Sequence, residues 1–536
     1  MTVQSIHQSV IASKQGKAKI STPRLPIALA MLLSLVAGLV FSFSLAPYYL
    51  WPLAIFSVMG VYALLINEMS TRRAFWIGQA YGFGVWVVGA SWLYNSIHEY
   101  GNVPAWAAAV MIGLMALIMG LFHAVSACVF VRFLGRQPLA FASLWVVQEW
   151  LKTWVLSGFP WLFVGYAFTE QSWISGIAPV LGVFGISFVV VLFAASVVEL
   201  FYQKVGFLVL SILAILVGFV LQSVDWVEPD GRTLSVSLVQ GNISQDMKWL
   251  TDYQTQTLEI YDNLTKSEWG RDVVVWPEVA IPMFHDEAMP FLQDMAKQAH
   301  DSQSSWITGL LYRDLKGYDE NKHAYPPIYN SVAAIDATGD SLYRKQQLVP
   351  FGEYIPFEGM LNILPNLDNM QGLMSISRGH ANQSPLAVKD HTIGAAICYE
   401  VAYPDTTRHN AKNADVLVTV SNDAWFGTTA GPWQHLQIVQ MRSLETGRYF
   451  MRATNTGVTA IINHKGGIDA IVPQFERTVL RGEVPSLIGV TPFVRFGSYP
   501  ILALALLLIV FSFVARKSSI SSSRTQRYYT AKGVRD

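Results

Sequence analysis

TIGAAICYE, residues 392–400, is an apolar run that ends in a thiol, a phenol and a carboxylate. Small and β-branched residues in continuous series fit a strand buried on both faces. Cys398, near its end, is one of only two cysteines in 536 residues. A free cysteine in such a run is ordinarily a small buried hydrophobe, so the stretch leaves two readings open: strand filling and nucleophile. Similar runs recur on either side, as TLSVSLVQ (233–240), DVVVWPE (272–278), SWITGLLY (305–312), NSVAAIDATG (330–339) and DVLVTVSND (415–423). Helix-like stretches lie at 251–268, 287–300 and 432–447. Apolar strands separated by helices predict an α/β domain whose sheets are covered by helices.

Two further strand ends carry ionisable groups. Glu278 follows Pro277 after VVVW, and Lys345 lies in YRKQQLVPFGEYIP (343–356), with Glu353 beyond the Pro/Gly turn. Each has an ordinary alternative. Glu278 suits a helix start, Lys345 a solvated face shared with Arg344, Gln346 and Gln347, and Glu353 an exposed turn. Trp249, in DMKWL (246–250), suits packing. Together they also form a chemical set. A cysteine attacks a carbonyl as thiolate and needs a base or a positive neighbour. Glu278 can take the thiol proton, and Lys345 can hold the thiolate and stabilise a tetrahedral oxyanion. Glu353 and Glu400 can fix Lys345 or orient the attacked group.

The α/β segment is embedded in a chain of different character. The whole sequence is 52% hydrophobic, only 14% charged and of zero net charge, which gives no argument for a nucleic-acid partner. Stretches near the length needed to span a bilayer occur at about 25–45, 49–66, 75–94, 104–131, 138–157, 173–200 and 205–222, with an eighth at 499–515. Expected divisions are therefore a segment 1–24, seven transmembrane helices over 25–222, a catalytic domain at 223–498, the eighth helix at 499–515 and an irregular tail at 516–536. Residues 1–24 hold four basic and no acidic side chains, and Arg72, Arg73, Arg132, Arg136, Lys204 and Arg516 flank alternate span ends. The positive-inside rule then places both termini in the cytoplasm and residues 223–498 outside. Cys128 lies toward the inner end of the fourth span, across the bilayer from Cys398, and is read as packing.

The segments quoted above resemble the signature regions of the nitrilase (carbon–nitrogen hydrolase) superfamily. LVQGNI (238–243), WPE (276–278), YRKQQLVPFGEYIP, ICYE (397–400), VSNDAWFG (420–427) and RYFMRATNTG (448–457) stand in that family's order. With SWLYNSIHEYG (91–101) and GFPWLFVGYAF (158–168), the whole chain resembles the membrane-embedded apolipoprotein N-acyltransferase branch of the superfamily. The resemblance implies an αββα sandwich facing the periplasm on an eight-helix bundle in the bacterial inner membrane. It implies Cys398 as nucleophile, Glu278 as general base and Lys345 as transition-state stabiliser, with Glu353, Tyr399 and Glu400 supporting them and Trp249 at a required position. The implied chemistry is ping-pong, without metal or other cofactor. An acyl chain passes from a membrane phospholipid to Cys398, then to the N-terminal amine of a diacylglyceryl-cysteine apolipoprotein. A membrane-tethered amidase acting on a small soluble molecule would carry the same triad. A transporter with an appended domain would instead place ionisable residues deep in several spans, and these spans hold few.

Aromatic side chains near the headgroup level complete the expectations. Trp161, in GFPWLFVGYAF, is expected to line the lipid approach. Trp425 and Phe426, followed by Gly427, form either a mobile apolar lid or core. His123 is expected as a hydrogen-bonding group within the bundle. Glu149 and Lys152 are either functional or an i,i+3 ion pair at the interface.

Overall fold

A computed structural model describes residues 25–68, 70–316, 318, 325–336, 339–356 and 376–532; the basic segment 1–24 lies outside the described residues. Helices α1 (Ile27–Phe41), α2 (Pro52–Ile66), α3 (Thr71–Gly89), α4 (Ala105–Phe133), α5 (Pro138–Leu151), α6 (Ala178–Glu199) and α7 (Gly206–Leu221) precede the first strand. Among the described residues four helical stretches are long and apolar enough to cross a membrane: Ile27–Ser44, Ala105–Phe133, Ala178–Tyr202 and Tyr499–Ser518. Helices α2 and α7 are apolar but shorter.

Three stretches depart from the expected spans. The fifth helix stops at Leu151 instead of reaching 157, and the chain then turns through the left-handed residues Leu156, Ser157 and Gly158. The sixth is broken at Gly182 (φ +67°), where a left-handed backbone frees the amide of Val183. The tail expected to be irregular continues the eighth helix through Lys532. No glycine or proline occurs between Pro500 and Gly533 to stop it.

The α/β part comprises β1 (Val227–Gln240), α8 (Gln245–Lys248), α9 (Thr251–Thr265), β2 (Val273–Val275), α10 (Met289–Asp301), β3 (Ser305–Arg313), β4 (Ile328–Asp336) and β5 (Gly339–Arg344). It continues with β6 (Leu386–Val388), β7 (His391–Ile397), α11 (Pro404–Ala411), β8 (Val416–Ser421), α12 (Gly431–Thr446), β9 (Phe450–Thr454), β10 (Ala460–Ile462), β11 (Ile468–Ile471) and β12 (Thr478–Gly489). Helix α13 (Tyr499–Lys532) closes the chain.

Two six-stranded sheets result, in the orders β12-β1-β2-β3-β4-β5 and β11-β10-β9-β8-β7-β6. Each has three parallel strands at its centre (β1-β2-β3 and β7-β8-β9) and antiparallel strands outside them. Strand alternation decides what each face meets. Val236, Leu238, Val273 and Val275 of one sheet share a buried core with Ile393, Ala395, Ile397 and Val418 of the other. The alternate residues Val239, Val274 and Trp276 pack outward onto Tyr261 of α9 and Leu292 and Met295 of α10. Outward residues of the second sheet, Ala396, Leu417 and Phe450, join Leu436 and Val439 of α12 in a cluster continuous with the apolar helices. The layers are thus helix, sheet, sheet, helix, and the last layer is shared with the helical bundle.

Candidate active site

Cys398 sits where β7 ends and a short 3₁₀ turn begins. Its backbone is left-handed, φ +52°, a conformation that non-glycine residues adopt at a cost and that clusters at functional sites. The C-terminal ends of the central parallel strands converge around it. Glu278 follows β2 and Asn422 follows β8. Lys345 follows β5, and its amide donates to Asn330 O at 2.8 Å.

The carboxylate of Glu278 is held from three directions. Its Oε1 accepts from Asn330 Nδ2 at 2.8 Å and faces Lys345 Nζ at 3.4 Å; its Oε2 accepts from the Asn422 amide at 2.9 Å. The segment carrying it is cramped. Val279 has φ +44°, and a Cβ at Gly309 would meet Pro277 O and Val279 N at 2.6 Å. Glycine at 309 is thus what lets β3 lie against the Glu278 backbone.

Lys345 is only 1% exposed, so the solvated-face alternative for it fails. Its ammonium donates to Glu353 at 2.9 Å as well as facing Glu278. Burial alone would lower its pKa, but Glu353, Glu278 and Cys398 outweigh that and raise it, so the ammonium stays charged. Glu353 also accepts from Asn330 Nδ2 at 2.9 Å and from the Val349 amide at 2.8 Å. The Cys398 thiol is pushed well up by burial and by Glu278, against the opposing pull of Lys345 and the Asn422 amide. At rest it is a thiol, and a base must take its proton as it attacks.

Glu400 does not touch the ammonium. It accepts from the amides of Gln346 (2.7 Å), Gln347 (3.2 Å) and Ile397 (2.9 Å), stapling the Lys345 segment to the Cys398 turn. Burial raises its pKa to about 7 in spite of those donors. Tyr399 points away from the thiol, with its hydroxyl donating to Gly158 O at 3.0 Å and its ring stacked on Trp161. Trp161 is buried behind it and donates to Gln434 Oε1 at 2.8 Å. Trp425 and Phe426 meet the loop after α3: Asn95 Nδ2 and Ser96 Oγ donate to Trp425 O, and Phe426 lies edge-on to Trp92. Trp249 is 42% exposed at the end of α8.

Several residues of the site were not singled out in the sequence, although Asn422, Asp423 and Arg452 lie within its signature segments. Asn330 lies inside a strand pattern, and Asn422 acts through its backbone. His435 reaches Cys398 O through Nε2 (3.1 Å) and Asp423 Oδ1 through Nδ1 (3.0 Å), and Asp423 in turn accepts from Arg452 (2.7 Å). Lys248, beside Trp249, is buried and donates to Glu278 O at 3.1 Å. In sequence it is one more lysine in a polar helical turn.

The bundle residues also resolve. His123 is buried and bonds to Gln148 through Nδ1 (3.2 Å). Glu149 accepts from Trp145 Nε1 (3.0 Å) and the Val164 amide (2.8 Å), and Lys152 lies over the rings of Trp86 and Phe163. Both are buried, which corrects the expectation of an interfacial ion pair: the loop that follows α5 folds back over them.

Comparison with known proteins agrees with this architecture. Residues 37–196 match the apolipoprotein N-acyltransferase N-terminal domain, and residues 235–493 match the carbon-nitrogen hydrolase domain. The apolipoprotein N-acyltransferase of Pseudomonas syringae pv. tomato is 40% identical over 500 residues, covering 91% of this chain and 97% of its own. That of Azotobacter vinelandii is 38% identical over 91% of this chain and 95% of its own. The two domain matches and 40% identity across 91% of its length place this chain in the apolipoprotein N-acyltransferase family, with a carbon-nitrogen hydrolase domain as its α/β half.

Proposed function

We propose that the protein transfers an acyl chain from a membrane phospholipid to the N-terminal amine of a diacylglyceryl-cysteine apolipoprotein, through a thioester on Cys398. The observation that carries this reading is the buried set around Cys398: a strained thiol, the Glu278 carboxylate and the Lys345 ammonium, on a domain whose outer helical layer merges with apolar helices. Glu278 takes the thiol proton as sulfur adds to the ester carbonyl. Lys345 keeps the carboxylate pair in place and offsets the charge that develops. Collapse expels the lysophospholipid alkoxide, which recovers the proton from Glu278. The lipoprotein amine then attacks the thioester, with Glu278 accepting its proton and the thiol leaving.

The orientation belongs to the same proposal. Arg136 donates to Glu68 O, Arg73 pairs with Glu68, and Arg516 donates to the carbonyls of Val131 and Leu134. These basic side chains gather at one end of the bundle, and the α/β domain meets it through Trp92, Trp161 and Gly182. Such a distribution supports an inner-membrane protein with its catalytic domain in the periplasm and its termini in the cytoplasm.

The test is direct. Purified protein is incubated with phospholipid carrying a labelled acyl chain, then chased with a diacylated lipopeptide. Label on Cys398 that moves to the peptide amine is expected. Label released only as free fatty acid would favour a hydrolase and sink the transferase reading.

A further inference from the structure

Two ammonium groups lie against Glu278, Lys345 at its carboxylate and Lys248 at its backbone carbonyl, and the acyl-transfer reaction uses one. Lys345 has three N–H bonds, and three carboxylate oxygens surround it: Glu353 Oε1 and Oε2 at 2.9 Å and Glu278 Oε1 at 3.4 Å. Its donors are committed before substrate arrives. Lys248 differs. It is 3% exposed, and among the described residues its ammonium has one hydrogen-bond partner, the backbone carbonyl of Glu278 at 3.1 Å. Among the described residues its other two N–H bonds have no protein acceptor, and the side chain is almost fully buried.

Its position is fixed from the other end of the same short helix. Gln245 Oε1 accepts from Asn422 Nδ2 at 2.7 Å, and the Asn422 amide holds Glu278 Oε2. Helix α8 therefore bridges the loops after β2 and β8 that flank the thiol. The charge count agrees: Glu278 and Glu353 against Lys345 alone leave one negative charge beside a group that must become a thiolate. Lys248 brings the cluster to neutrality. Burial pulls its pKa down to about 8 while Glu278 and Cys398 push it up, so it is mostly charged at neutral pH.

We propose that Lys248 is a catalytic residue of the acyl-transfer reaction, donating from its free N–H bonds to the oxyanion that forms when Cys398 adds to an acyl carbonyl. In that step the S–C bond forms, the carbonyl π pair moves to oxygen and the thiol proton passes to Glu278. Lys248 transfers no proton. It holds the oxyanion until the pair returns and the ester C–O bond breaks. The assignment rests on the acyl-transfer reading.

The experiment compares two reactions of the same thiol. Acylation from labelled phospholipid passes through an oxyanion; alkylation by iodoacetamide does not. Full-length Lys248→Met in detergent is expected to acylate Cys398 about 10²–10³-fold more slowly, with alkylation slowed less than tenfold. Equal slowing of both would make Lys248 a positioning residue for Glu278 and overturn the proposal, as would acylation within threefold of wild type. If Lys248→Met does not fold, Lys248→Gln, which keeps a neutral donor, is measured in the same way. It should lie between wild type and the loss expected for Met, and wild-type acylation there overturns the role of the charge. Wild-type protein that alkylates but forms no thioester would remove the acyl-transfer reading itself, a result distinct from failure of the Lys248 assignment alone.

Discussion

Lys345 shows how burial converts an ordinary residue into a constrained one. Its ammonium fills a space bounded by Glu278 and Glu353, and a planar guanidinium cannot occupy it with the same contacts. Lys345→Arg is therefore expected to lose roughly 10²–10³ in both half-reactions, measured by single-turnover acylation and lipopeptide chase. Glu400 makes a pH prediction. Its folded-state pKa of about 7 lies above the ordinary 4.5, so the folded chain holds a proton that the unfolded chain has released. The stability from this group is complete below pH 4.5 and is lost as pH rises to about 7. Glu400→Gln should flatten the change in thermal midpoint between pH 5 and pH 8. A variant with the wild-type pH slope would show that Glu400 does not titrate in this window.

At the scale of elements, α12 connects the nucleophile to the bundle. Gln434 accepts from the indoles of Trp92 and Trp161, Gln437 Oε1 accepts from the Ala46 amide, and Glu445 Oε1 accepts from the Val183 amide freed by the break at Gly182. The same helix carries His435 against Cys398 O. Gln434→Leu would leave two buried indole donors unpaired, each worth about 1–3 kcal/mol. A lower thermal midpoint with altered tryptophan emission is expected, and an unchanged midpoint would show that the joint is not under load. Gly309 acts on the other sheet. Gly309→Ala should displace Glu278, slow acylation more than tenfold and lower stability by about 1–3 kcal/mol, since the added methyl meets backbone at 2.6 Å. Wild-type acylation by that variant would show that the Glu278 loop yields freely.

For the whole molecule, the two cysteines report topology. Cys398 lies on the α/β side. Cys128 donates to Thr71 O at the basic end of the bundle, near the start of α3. In intact spheroplasts a membrane-impermeant thiol reagent should label Cys398 and never Cys128. Labelling of Cys128 from outside would invert the proposed orientation. Cys128→Ala should leave turnover unchanged, with at most about 1–2 kcal/mol of lost packing.

Local pattern was enough for the strands at 227–240, 273–275, 305–313, 328–336, 391–397 and 416–421 and for the helices at 251–265, 289–301 and 431–446, because apolar runs and helical periodicity are written in neighbouring residues. Cys398, Glu278 and Lys345 were singled out as strand-end groups, and their roles came from the family resemblance. The strands at 339–344, 386–388, 450–454, 460–462, 468–471 and 478–489 were not read from the sequence; those of three or four residues carry too little alternation to stand out from a loop. The break at Gly182, the early end of α5 and the burial of Glu149 and Lys152 were likewise hidden in continuous apolar stretches. Which charges would be buried together was settled only by the fold. Lys248 and Lys345 look in sequence like two solvated lysines almost a hundred positions apart. Both come to lie against Glu278 because the two sheets bring the segments after β1, β2, β5 and β8 to the same edge. Burial there removes the water that would otherwise have satisfied them.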